Sequence, residues 1–356
     1  MPQVLKRLLP DKAIAILRHL KNTADRAALT VFATNGFTAS LYYWLFSRRF
    51  DREHLATLNG RKAYWRSLQT PTRSSAMLRR NIHRLEKGLI MRPRRSFFAE
   101  DYIGETVERY VQCLSGGSLD ANEGQWAEHV LQEYFAVVTD TPRIKIARTL
   151  FEAHTPCRLR SGTRSVPYKY EQIDRSNVSF EQFKQLCVQR RSVRWFAERR
   201  VPRELIEKAL EAATQAPSAC NRQPFKYFVF DTPADAQRIG SIPMGTAGFS
   251  SNFQCVLVVV GDLSAYPYER DRHVIYIDGA LASMQLLLAL ETLGLSSCVI
   301  NWPDIENLET RMSRELRLQP YERPLMLIAV GYPDQTGLIP FSQKKSPTQL
   351  IGELNT

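Results

Sequence analysis

The six cysteines, Cys113, Cys157, Cys187, Cys220, Cys255 and Cys298, include no C-x-x-C pair, and no apolar core with a small-residue cleavage site opens the chain. They read as free thiols of a reducing cytoplasm, filling core or bystander positions rather than forming a disulfide framework or a redox pair. The six histidines are dispersed without an H-x-x-x-H pair, so a zinc site has no support and no metal is expected. Repeats and low-complexity segments are also missing, which excludes a repeat array.

What the chain does have is length and an uneven charge. Its 356 residues leave room for two domains, and 44% apolar residues allow a sizeable core. The formal charge of +12 lies entirely in residues 1–180, which carry 29 Lys+Arg against 17 Asp+Glu, while the remainder is balanced. The first hundred residues hold 20 basic and 6 acidic side chains, enough for a positive field towards a membrane surface or an acidic partner. The alternative is a solvated basic face that aids solubility. Nucleic acid is not expected, because the region offers charge without a zinc-finger, homeodomain or RNP pattern. Ala27 to Ser47 carries no charge and is 21 residues long, but its Thr, Asn, Gly and Ser content is poor for a membrane span. Spanning, lying on a surface and buried packing remain as alternatives. The expected location is cytoplasmic, with peripheral attachment to the inner membrane face as the variant.

From Pro2 to about His154 the pattern is mostly helical, with apolar residues at helical spacing in His54 to Leu58 and Tyr102 to Leu114. Ser115 to Gly124 reads as a loop and His154 to Asn177 as a linker, dividing the chain into 1–175 and 176–356. Beyond it, Ser179 and Gln182 form a capping-box pattern for a helix through Arg190, and Pro202 suits the first position of another. "KYFVFD", "CVLVVVG", "SSCVI" and "LMLIAVGYP" read as strands, and "YIDGALASMQLLLALETLGL" as a long buried helix. Strands interleaved with helices imply a layered α/β or α+β domain.

Three pieces of this domain carry candidate chemistry. "RRSVRWF", Arg190 to Phe196, supplies Arg190, Arg191, Ser192 and Arg194, the groups that hold a phosphate through charge-assisted bonds, although arginines at a helix end also complement its dipole. "APSACNRQP" collects small residues, Pro217, Ser218, Ala219 and Cys220, that let backbone approach a flat ligand, with Asn221 and Gln223 to bond its edge. An ordinary polar turn is the alternative. Finally, the strand ending in Ile300, Asn301 and Trp302 lies where ligands of layered sheets collect.

In this order the pieces resemble the nitroreductase family of flavin enzymes, over roughly Ser179 to Ile351, together with the "DGALASMQLLLALETLGLSSC" passage and the basic "KKSPTQLI". The resemblance implies an α+β fold with a mixed sheet flanked by helices, preceded here by the basic helical region. It implies a homodimer with FMN at each subunit interface, reduced by NAD(P)H and reoxidised by a small-molecule acceptor. On it, Arg190, Arg191, Ser192 and Lys345 hold the phosphate and Arg194 lies at the pyrimidine edge, where charge stabilises reduced flavin. Pro217, Ser218, Ala219 and Asn221 come from the partner chain, and backbone amides around Ile300 and Asn301 face N5, which makes Arg194 and Asn301 the catalytic assignments. Many members carry Gly-Gly where this chain has Asn301 and Trp302. Trp302 therefore either lines a narrow substrate site, the assignment taken here, or packs inward. The family's flavin-contacting Asn before the second strand has no clear counterpart in "SIPMGTAGFSSNFQC".

The N-terminal half departs most from the family. "RRNIHRLEKGLIMRPRRSFF", Arg79 to Phe98, resembles at Asn81 to Gly88 a segment of longer nitroreductase-like proteins that accompany polysaccharide biosynthesis. The alternative is a helix that caps the reductase domain through Arg–carboxylate pairs. The competing function is a catalytically weak flavin-fold scaffold whose basic half recruits a membrane or assembly partner.

Overall fold

The computed structural model describes residues 10–69, 75–117, 119–155 and 164–352. Pro2 to Leu9, Cys157 and the middle of the expected linker lie outside the described residues. Cα packing divides the chain into two compact units at Leu55/Ala56. The first contains α1 (Asp11–Phe32) and α2 (Gly36–Leu45) and the opening residues of α3 (Asp51–Gln69). The uncharged stretch Ala27 to Ser47 is broken at Asn35, whose side chain caps α2 by accepting from Phe37 N and Thr38 N. Two helices thus share it, neither long enough there to span a bilayer, and no residue of α2 is buried, so the buried-packing alternative finds no support there.

The second unit opens with a helical layer, α4 (Ala76–Leu89), α5 (Ile103–Ser115), α6 (Ala121–Val137) and α7 (Pro142–His154). α4 buries Leu78, Ile82, Leu85 and Leu89, a spacing of three to four that lines one helix face. They pack on Val107 and Tyr110 of α5, Val130, Leu131 and Tyr134 of α6, and Ile144 and Phe151 of α7.

The rest is α+β: α8 (Phe180–Gln189), α9 (Arg203–Ala213), β1 (Phe225–Phe230), α10 (Pro233–Gly240), β2 (Cys255–Asp262), α11 (Val274–Thr292), β3 (Ser296–Asn301), α12 (Glu306–Leu316) and β4 (Glu322–Gly331). The expected capping box opens α8, with Ser179 Oγ accepting from Gln182 N and Gln182 Oε1 from Ser179 N. Pro202 is the N-cap of α9 rather than its first helical residue. The sheet order is β1-β2-β4-β3, with all three ladders antiparallel, and its parallel component is the single bridge Ser192↔Ser297. β2 explains why its sequence is a continuous apolar run. Cys255, Leu257 and Val259 enter the core on one face, Val256, Val258 and Val260 that on the other, so both pleats are buried. Each such side chain contributes about 1.5–3 kcal/mol.

α11 lies along the first face and is the longest helix of this unit, level with α3. With its preceding turn, Glu269–Thr292, it is the one helix among the described residues long and apolar enough to cross a membrane, but 44% of its 18-residue apolar stretch is buried inside the fold. The buried side, Ile275, Ala282, Leu286 and Leu290, is core. The other side presents Tyr276, Ile277, Leu281 and Met284 as an exposed apolar ridge.

Candidate functional site

The segment after α8 is extended and fixed by backbone. Val193 N donates to Ser297 O at 3.0 Å, and Ala197 N to Tyr332 O at 2.9 Å. Gly331 lets it lie close, since a Cβ there would press into the Phe196 ring. Asn252, directly before β2, braces the segment from behind: its Oδ1 accepts from Phe196 N (2.9 Å) and its Nδ2 donates to Arg194 O (2.9 Å) and to Phe249 O. No site residue is expected from the sequence here, and Asn252 acts on the segment rather than on a ligand. Arg190, Arg191, Ser192 and Arg194 are thereby brought together, each half-buried. Among the described residues none of these arginines forms an ion pair. Arg194 donates to Ser192 O at 3.4 Å and lies 5.7 Å from the Phe249 ring centre. Burial pushes the Cys298 thiol up, against the opposing pull of Arg194 and Arg190, so it is no ready nucleophile.

β3 is an edge strand, and its backbone groups alternate between β4 and the open edge. Since Ser297 O accepts from Val193, Ser297, Val299 and Asn301 direct their amides outward, whereas Ile300 directs its amide to β4 opposite Leu327. The geometry therefore offers the Asn301 amide to a ligand and withholds that of Ile300, a correction to the expectation for Ile300. Ser297 Oγ, buried and without a hydrogen-bond partner among the described residues, is an additional polar atom beside this edge. Trp302 is turned inward, 8% exposed, and its indole N–H donates to Glu309 Oε1 at 2.7 Å. Glu309 also accepts from Arg323, so the ring and the acid satisfy each other in the core. This replaces the substrate-lining assignment of Trp302. Lys345 lies exposed on the C-terminal segment before the short helix Pro347–Leu350.

The loop Pro217 to Gln223 is held at the other end of α11. Asp278, 2% exposed, accepts from Ser218 Oγ (2.8 Å) and from Ala219 N (3.1 Å). Ser218 Oγ in turn accepts from Gln223 N at 2.8 Å, which closes the loop. These bonds support a strained backbone, with Cys220, Asn221 and Gln223 all at left-handed φ of 54°, 51° and 50°. Desolvation raises the Asp278 pKa, opposed by the bonds from Ser218 and Ala219 and by the charge of Arg222. Arg222 is buried, its Nε has no partner among the described residues, and its guanidinium lies 5.0 Å from the Tyr266 ring centre. Asp278 is the residue that sequence reading missed. Its signal is present: it is the one charge between Tyr276 and Leu290, and a lone acid in an apolar helix needs a partner.

The Asn81 to Gly88 segment is spent on packing. Asn81 Nδ2 donates to Glu105 (3.0 Å), Glu86 Oε1 accepts from Trp126 Nε1 (2.9 Å), and a Cβ on Gly88 would collide with the Phe98 ring.

Comparison with known proteins follows the same residues. A sequence profile described as the Nitroreductase family matches residues 187–247 and 246–332, a range that holds the arginine segment, the loop, Asp278 and β3. A protein of Archaeoglobus fulgidus named as an NADH dehydrogenase/NAD(P)H nitroreductase is 33% identical over 149 residues, covering 40% of this chain and 81% of that protein. Iodotyrosine deiodinase of Haliscomenobacter hydrossis is 25% identical over 216 residues, covering 52% and 96%. A solved nitroreductase in complex with FMN from Desulfovibrio desulfuricans is 25% identical and covers 49% of this chain and 96% of that one, with a TM-score of 0.40.

Proposed function

The chain belongs to the nitroreductase family, and from that premise we propose that it is an FMN-dependent oxidoreductase that transfers a hydride from NAD(P)H to a small-molecule acceptor, as a homodimer. One observation carries the reading. Asp278, which holds the loop, and Glu291, which accepts from Gln189 and feels the charge of Arg190, stand 13 residues apart on α11, about 20 Å along its axis. The arginine segment and the loop are thus anchored near opposite ends of one helix, with Leu281 and Met284 of the apolar ridge between them. A second copy laid on that ridge in reversed direction brings the loop of one chain to the arginines of the other and covers the exposed apolar surface.

The residues fit the cofactor. The guanidinium groups of Arg190 and Arg191, which form no ion pair among the described residues, suit a dianionic phosphate together with the Ser192 hydroxyl. Bound FMN supplies the hydride chemistry at N5. Arg194, steadied by Ser192 O and the Phe249 face, holds positive charge where negative charge gathers at the ring edge. The open-edge amide of Asn301 is a fixed donor that needs no reorganisation. Pro217, Ser218 and Ala219 present small, rigid surface to the ring, and the Asn221 amide supplies a donor. The basic N-terminal half then serves the setting of the enzyme, a polysaccharide-related pathway in the cytoplasm.

The test is purification of the wild type and of Leu281→Glu. The wild type is expected to be a yellow dimer that releases FMN on denaturation and is bleached anaerobically by NADH or NADPH, and the variant a colourless monomer. A wild type that neither carries nor takes up FMN refutes the reading.

A further inference from the structure

The flavin loop has a second anchor, from outside the residues that match the family profile. α4 packs against the turn Ala219–Asn221, and Arg79 Nε donates to Asn221 O at 2.9 Å. The far side of the same guanidinium meets Glu123 Oε2 at 3.4 Å, and its carbon lies 5.4 Å from the Trp126 ring centre. Arg79 is thus held on two sides besides the loop, and it is only 20% exposed, so its charged bond is little screened. The carbonyl it holds belongs to a residue at φ 51°, a conformation that costs energy to keep. The Asn221 side chain is oriented as well, because its Oδ1 accepts from Gln223 Nε2 at 3.0 Å, which leaves Nδ2 as the donor facing outward.

We propose that Arg79 is a positioning residue of the flavin site: by binding Asn221 O it holds the strained loop in the form that presents the Asn221 amide to the cofactor, making the helical layer part of the active site. This rests on the flavin reading above. The alternative role for Arg79, a tie that holds α4 to α6 through Glu123, predicts a loss of stability with no specific effect on the loop. Asp278 grips Ser218 and Ala219 at one end of the loop, whereas Arg79 grips Asn221 at the other, so neither anchor replaces the other.

The experiment compares full-length wild type, Arg79→Ala, Arg79→Lys and Arg84→Gln. Arg84 belongs to the same helix but lies over Tyr102, 3.6 Å from its ring centre, and serves as the control. Two readouts are taken: FMN affinity by flavin fluorescence, and hydrogen exchange of the 217–223 amides in the flavin-free protein. Arg79→Ala is expected to weaken FMN about 10-fold and to speed exchange in the loop by a similar factor, as a lost charged hydrogen bond requires. Arg79→Lys, which cannot reach both Asn221 O and Glu123 with one planar group, is expected to restore thermal stability but only part of the affinity. Arg84→Gln is expected to match the wild type in both. FMN affinity and loop exchange of Arg79→Ala within twofold of wild type overturn the proposal. If the wild type takes up no FMN, the flavin reading fails, and exchange still decides the clamp: faster exchange in Arg79→Ala supports it and unchanged exchange overturns it.

Discussion

Asp278→Ala removes the acceptor that holds Ser218 Oγ and Ala219 N. Each lost bond is charge-assisted, worth about 1.5–3 kcal/mol, so the gross loss is about 3–6 kcal/mol. Removing the carboxylate also relieves its burial, the main cause of its raised pKa, and the lower end of that range is the better guide. Part of the loop survives, because Ser218 Oγ still accepts from Gln223 N and Asn221 O from Arg79. The penalty on binding is the fall in the population of the competent loop, and a net 1.4–2.8 kcal/mol corresponds to FMN affinity about 10- to 100-fold weaker. Fluorescence titration measures it, with circular dichroism to show that the helical layer and sheet remain. An affinity within twofold of wild type refutes the argument that this loop contacts the cofactor. Asp278→Asn separates charge from shape. A folded-state pKa above 3.8 means that the native carboxyl keeps its proton longer than the unfolded one, so its contribution is full below 3.8 and is lost as pH rises through the folded value. The stability of Asp278→Asn relative to wild type is therefore expected to improve from acid towards neutral pH in urea melts, and a gap that widens the other way contradicts a desolvated carboxylate.

Two further outcomes test neighbouring assignments. Cys220 is half-exposed in the loop, whereas burial pushes the Cys255 thiol up to about 12. Peptide mass spectrometry after iodoacetamide at about pH 8 should find Cys220 modified and Cys255 intact, with saturating FMN slowing Cys220, and no protection would remove the loop from the site. Trp302→Phe loses the bond to Glu309 and should cost about 1–3 kcal/mol in a denaturant melt while leaving the acceptor KM within twofold. A changed KM with unchanged stability would return Trp302 to the substrate site.

The framework was legible where a local rule decides the outcome. The β2 run and the capping box at Ser179 follow from periodicity and end chemistry, and the structure bears both out. The candidate site is readable in the sequence as three groups of residues but not as an arrangement. Which way Trp302 turns depends on an acid seven residues later, and which amide of β3 is free depends on a bridge to Ser192, far off in sequence. Asn252 acts on backbone that is remote along the chain, so no local pattern names it, and the lone charge of Asp278 shows that a partner is needed without naming the loop that supplies it. Arg79 reads from sequence as one of many surface cations. Only folding reveals that its guanidinium reaches a carbonyl 142 residues away.

The ridge on α11 carries a consequence for how the protein behaves on dilution. On the proposed dimer, whose cofactor pocket straddles two copies, a single chain would have no activity of its own, so catalytic output per molecule would fall as dilution shifts the equilibrium between copies, and added cofactor would pull it back by mass action. Thermal midpoints should then rise with protein concentration, linking the greasy side of one helix to the colour of the solution.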